Sequence, residues 1–209
     1  MDKKEFRQEN LLDESLTLCK VWNMTREAAL QPTLWRTCRV LANRTRLRVF
    51  GCLVQRSPRT VSSVASRLGL SIPVASQSLR ALEARGLLSA RRAGRYVEYR
   101  LNAATTGIVP VLVPALRSAF RQTTSPVDSV FKLTTAFTHP RRIEIFRTLK
   151  RQARTLGEMR TEFRISMPAL CRHLAKLKRR GFIVQGCGRY LATNPCDQLG
   201  RALARLTDQ

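Results

Sequence analysis

Two segments of this chain hold side chains suited to paired hydrogen bonding from one face of a helix: SIPVASQSLRALEARGLL from Ser71 and SMPALCRHLAKLKRRGFI from Ser166. On a helical wheel Ala75, Leu79 and Leu82 of the first share a face that must turn to a core. The opposite side presents Val74, Ser76, Gln77 and Arg80, with Ser78 at its margin and Ser71 at the helix start. In the second segment that side presents Ala169, Cys171, Arg172 and Lys176, with His173 at the margin and Ser166 at the start. A carboxamide matches the groove edge of adenine and a guanidinium that of guanine, because each makes two hydrogen bonds there. Gln77 and Arg172 stand at equivalent positions, so the two segments favour different bases. Any one of these residues also reads as an ordinary solvated helix position. As a set on one face they point to a groove.

Other residues with chemical potential do not assemble. Cys171 and His173 are two apart on a helix, so they diverge and chelate poorly. Cys187 and Cys196 could meet, but neither spacing nor partners support a site. Cys38 and Cys52 read as small core residues. His139 precedes Pro140 at a helix start, where it caps or is solvated. There is no phosphate-binding glycine loop, nucleophile elbow or zinc-protease helix, so the chain is expected to be no enzyme and to need no cofactor or metal.

The elements that must position these residues repeat. The two segments lie 95 positions apart, pairing Pro73 with Pro168, Leu79 with Leu174, Leu82 with Leu177 and Gly86 with Gly181. Upstream, LANRTRLRVFGCL from Leu41 resembles FTHPRRIEIFRTL from Phe137 at a spacing of 96, pairing Arg46 with Arg142 and Phe50 with Phe146. Two long repeats imply two copies of a small domain, not a solenoid. Each copy opens with a helix of apolar period (Leu47, Phe50, Leu53; Ile143, Phe146, Leu149), then a short helix and a turn at Gly69–Ser71 or Arg164–Ser166. The longer helix begins with Ser as cap and Pro in the first turn, and ends near Gly86 or Gly181. Two β-prone runs follow, LLSARRAGRYVEYRL with a turn around Ala93 and Gly94, and the shorter FIVQGCGRYLAT around Gly186 and Gly188. The expected fold is mainly α with small β-hairpin wings: tandem winged helix-turn-helix domains.

The ensemble resembles the ArsR-like (arsenic-repressor) family of winged-helix regulators, over roughly Leu34–Leu101 and, less closely, Phe131–Thr193. "LANRTRLRVFGCL", the recognition helix and "RRAGRYVEYRL" carry the resemblance; the second copy departs in its short wing and in "THPRR". The resemblance implies that the third helix of each copy enters the major groove of double-stranded DNA. It also implies homodimers, whereas here one chain carries both recognition helices and is expected to form a monomeric intramolecular pseudo-dimer or else a homodimer. The expected interface uses residues 11–30, Ala103–Gln122 and Cys196–Leu206. Metal-sensing relatives carry paired cysteines before the recognition helix; VSSVASRLGL has none.

Charge supports a polyanionic partner. The chain holds 38 Lys and Arg against 14 Asp and Glu, a formal +24, and residues 1–30 hold five of the former and six of the latter, so the excess sits in the body. Arg91, Arg92 and Arg95 of the first wing and Arg189 of the second are expected on phosphates; Lys178, Arg179 and Arg180 reach the backbone or cap the helix. Tyr96, Tyr99 and Tyr190 are expected to pack the wings onto the body. The domains expected are a mixed-charge helical segment 1–30, a first winged helix 31–102, a connecting helix 103–126 and a second winged helix with a terminal helix 127–209. With no apolar run of membrane length, a charged start and unpaired cysteines, the chain is expected in the cytoplasm on the nucleoid. The leading expectation is a sequence-specific regulator, a repressor; the alternative is a nonspecific DNA- or RNA-binding winged helix, and a third is a protein scaffold.

Overall fold

The computed structural model describes residues 33–209. The segment 1–30, and the interface role expected of 11–30, lie outside the described residues. In chain order the first copy runs α1 (Leu34–Leu41), α2 (Arg44–Gln55), β1 (Arg59–Thr60), α3 (Val61–Leu68), α4 (Ile72–Glu83), β2 (Leu88–Ala93) and β3 (Tyr96–Leu101). Helix α5 (Val109–Gln122) follows. The second copy runs α6 (Pro126–Thr134), a 3-10 turn (Thr135–Phe137), α7 (Pro140–Arg151), β4 (Arg154–Thr155), α8 (Leu156–Phe163), α9 (Met167–Arg179), β5 (Ile183–Gly186) and β6 (Arg189–Ala192), and α10 (Gln198–Leu206) closes the chain.

The same local devices recur in both copies. At the α1–α2 corner the Asn43 side chain accepts from Arg46 N–H, and at the matching corner His139 Nδ1 accepts from Arg141 N–H, so each answers a helix-start donor. Behind these caps the guanidinium of Arg46 donates to Val40 O and that of Arg142 to Ala136 O, tying the corner from within. Thr60 and Thr155 cap α3 and α8 through the amides three residues on, and Glu158 completes the second as a capping box. The helix-turn-helix corner needs left-handed backbone: Gly69 takes φ 63° without cost, whereas Arg164 adopts φ 49° at the matching place. Gly86 and Gly181, at φ 67° and 80°, release the chain from the longer helices into the wings.

Two readings of the sequence need correction. Ser71 and Ser166 occupy the cap positions of α4 and α9 but make no side-chain cap bond; the prolines two residues on remove one of the donors a serine would answer. The hairpin wings stand as expected, and each gains a third strand, because β1 and β4 pair with β3 and β6 in the orders β1-β3-β2 and β4-β6-β5. Tyr99 and Tyr190 pack inward as expected, but Tyr96 is 63% exposed, since it opens β3 beside the Gly94–Arg95 turn, beyond reach of the body.

The core around α7 gathers three aromatic rings where the core around α2 holds one ring between two leucines. Phe137, Phe146 and Phe182 meet edge to face, with centroids 4.6–5.7 Å apart. Their counterparts are Leu41, Phe50 and Leu87, all fully buried. The copies are joined by apolar faces: α5 (Leu112, Val113, Leu116) packs on α10 (Leu199, Leu203, Leu206), and α1 packs on α6 and the 3-10 turn. Pro110 falls in the first turn of α5, where its missing N–H is harmless, and Pro114 lies inside it. Arg44 and Asp128 add an ion pair of 2.6 Å across the junction, both exposed and so worth only about 0–1 kcal/mol. Among the described residues no helix is long and apolar enough to cross a membrane.

Candidate nucleic-acid interface

Helices α4 and α9 each seat one apolar edge and leave the other in solvent. Ala75, Leu79 and Leu82 are buried, as are Leu170, Leu174 and Leu177. On α4, Ser71, Val74, Gln77 and Arg80 are exposed and Ser76 is half-buried; Ser78, placed at the margin by the wheel, is buried at 6%. On α9, Ser166, Cys171 and Arg172 are exposed, while Ala169, His173 and Lys176 are half-buried. Gln77 and Arg172 are therefore both free to meet a ligand from the middle of their helices.

The two wings differ more than their sequences suggest. In the first, the six-residue strands β2 and β3 set Arg91 opposite Glu98 and Arg92 opposite Val97, and Arg91, Arg92 and Arg95 stand exposed. In the second, strands of four residues carry Arg189, which donates to Ala153 O at 3.2 Å and lies 3.8 Å from Glu158. Lys178 reaches across to Gln185 Oε1 at 3.2 Å, and Arg180 serves as the C-cap residue of α9.

Charge compensation is uneven too. Residues 33–102 hold 14 arginines and no lysine against Glu83 and Glu98 alone. The acids of the second copy are mostly engaged: Asp128, Glu144, Glu158, Glu162 and Asp208 pair with cations, and Asp197 caps α10. The exposed arginines of the first wing thus have little internal competition for a phosphate.

Sequence reasoning missed one group. Arg39 of α1 and His139, Arg142 and Lys176 of the second copy line a cleft of about 530 Å³ between the copies. The signal was indirect, since α1 carries no motif that names its packing partner. The His139 and His173 rings meet at a tilt of 41°, with centroids 4.9 Å apart. Burial first, then Arg142 and Arg141 for His139, and burial, then His139 and the same arginines with Arg172 for His173, hold both imidazoles below the ordinary histidine value. Cys38 and Cys52 are buried as expected, with burial pushing the Cys38 thiol far up; Cys171, Cys187 and Cys196 are exposed. Among the described residues no three His, Cys, Asp or Glu side chains group closely enough to hold a metal ion.

A family model described as a helix-turn-helix domain matches residues 41–89 and again 137–185. The chain carries two winged helix-turn-helix domains in tandem. The two matched segments fall one on each copy, from the α1–α2 corner or its counterpart to the start of the wing. The HTH-type transcriptional regulator Rv0324 of Mycobacterium tuberculosis is 38% identical over 76 residues, which is 36% of this chain. The match spans 33% of that relative's length. Reduced HlyU from Vibrio cholerae is similar at 26% identity over 48% of this chain and 98% of HlyU, with a TM-score of 0.36.

Proposed function

We propose that this tandem winged-helix chain reads a specific sequence of double-stranded DNA with two unlike recognition helices held in one molecule, and that it represses transcription there. The observation that carries the reading is the exposure of Gln77 and Arg172 at equivalent positions of α4 and α9, on domains that share an apolar junction. Base edges are read by Gln77, Ser76, Val74 and Arg80 on one side, and by Arg172, Ala169 and His173 on the other; Ser71 and Ser166 sit at the helix starts, nearest the backbone. Arg91, Arg92 and Arg95 hold phosphates from the first wing. Unlike helices favour a site without two-fold symmetry. A chain seated in the groove excludes other proteins from that stretch, and regulation by exclusion is repression. On this reading its place in the cell is the nucleoid, and the pseudo-dimer needs no second chain.

Selection from a random duplex pool tests the specificity, and should return two different half-sites about one helical turn, roughly 34 Å, apart. In such a site Gln77→Ala and Arg172→Ala should each cost about 1–3 kcal/mol and relax the preference at one base position, not the same one. The mass in solution should be that of one 23.7 kDa chain, and a stable homodimer with four recognition helices would count against the pseudo-dimer. A second reading, nonspecific coating of DNA or binding of structured RNA, is favoured by the +24 charge. Equal competition by specific duplex, random duplex and RNA at fixed salt would establish it instead.

A further inference from the structure

We infer that the cleft between the two copies, formed by Arg39 on one wall and by His139, Arg142 and Lys176 on the other, binds a phosphate group. The inference rests on the DNA-binding reading only for where that phosphate comes from. Among the described residues that line the cleft none is acidic, so three permanent cations face one another with no carboxylate between them. The guanidinium of Arg142 spends Nε and Nη2 on Ala136 O, Thr135 O and Thr138 Oγ1, which fixes its place and leaves Nη1 as its one unengaged nitrogen. Arg39 and Lys176 make no hydrogen bond or ion pair to any described residue; the Arg39 guanidinium lies 5.8 Å over the Trp35 ring, which leaves its N–H donors, like those of Lys176, to close on an anion. The cost of this arrangement is visible. Burial and the neighbouring Arg180, Arg179 and Arg142 hold the Lys176 ammonium below its usual value, and a bound dianion would reverse that shift.

The cleft is built once. In the repeat, Arg39 corresponds to Thr135, His139 to Asn43 and Lys176 to Ala81, so the mirror position has neither the ammonium nor the imidazole. A homodimer of either copy could not assemble this cleft; joining two diverged copies does. Lys176 also stands one turn from Arg172 on α9, so the cleft borders the helix face offered to DNA. A backbone phosphate between the two half-sites and a free phosphate are both within its chemistry.

The test uses the full chain and the double variant Arg39→Ala/Lys176→Ala, with Arg39→Lys/Lys176→Arg as the charge-preserving control and thermal unfolding as a check of folding. In one arm, duplexes of the selected sequence carry a single neutral methylphosphonate at successive linkages. Wild type should lose on the order of tenfold in affinity at one linkage between the half-sites, where the variant loses nothing further, and the variant's salt slope should fall by about one. In the other arm, inorganic phosphate is titrated into DNA-free protein at constant ionic strength and followed by the histidine ring resonances. Saturation in wild type and control but not in the variant would assign the cleft to free phosphate. Insensitivity in both arms would overturn the inference. Failure of wild type to bind any duplex would sink the DNA reading while the phosphate arm still decides the cleft.

Discussion

The first and second copies solve the same docking problem with different chemistry. Against α2, Gly51 lets the Phe120 ring of α5 approach so closely that an added Cβ would meet it at 2.6 Å, and the Phe50 and Phe120 centroids lie 5.7 Å apart. Against α7, the matching residue is Arg147, whose Nε donates to Thr207 O at the end of α10 at 2.8 Å. The first copy fastens its trailing helix by close apolar approach, the second by capping that helix with a cation. The wings divide the same way: the first leaves its arginines outward, the second turns Arg189 back onto its own body. Duplication has preserved the frame and released the surface.

The largest effect that tests this contrast lies in the cores. Phe182→Ala empties the centre of the three-ring cluster and should cost about 3–5 kcal/mol, measured by urea unfolding. Because α5 and α10 share one apolar junction, the loss should lower a single cooperative transition that reports on both copies. Two separated transitions would show that the copies fold independently.

A smaller effect separates the wings. Arg91→Ala with Arg92→Ala should lower affinity for all duplexes alike and reduce the salt slope by about two. Arg189→Ala should leave that slope near its starting value, because its guanidinium is held by Ala153 O and Glu158. Equal slopes for the two variants would erase the distinction.

The smallest effect is one of pH and belongs to the second copy alone. His139 faces Arg142, Arg141, Glu144 and Arg39; His173 faces His139, Arg142, Arg172 and Arg141. Both have folded values below the unfolded one, so the unfolded chain binds more protons and stability falls as pH drops below about 6.5. Replacing both residues, His139 by Asn as in the first copy and His173 by Ser, should flatten the thermal midpoint between pH 7 and 5.5. An unchanged slope would place the acid sensitivity elsewhere.

Much of this was legible before any coordinates. The period of Leu47, Phe50 and Leu53 marks a buried helix face because a 3.6-residue turn leaves few other ways to shelter them. Gly86 and Gly181 mark the exits because left-handed backbone favours glycine. What was hidden depends on neighbours distant in the chain. The strands Arg59–Thr60 and Arg154–Thr155 are too short to carry a pattern and exist because β3 and β6 offer an edge. The packing of α1 on α6 is equally silent, since LWRTCRVL shows an amphipathic face without saying what covers it. Lys176 was placed on the reading face by the wheel alone; only the approach of α1 sets it in a cleft beside Arg39.

The α5–α10 junction has a consequence for dose. Two halves that must first find each other bind an operator with a steep, concentration-squared onset, and dilution silences them. Halves joined by a peptide chain and a shared apolar seam have no such threshold, because each sees the other at a fixed effective concentration. On the pseudo-dimer reading, operator occupancy then follows a plain hyperbola in the number of chains, and a few copies per cell retain full binding strength.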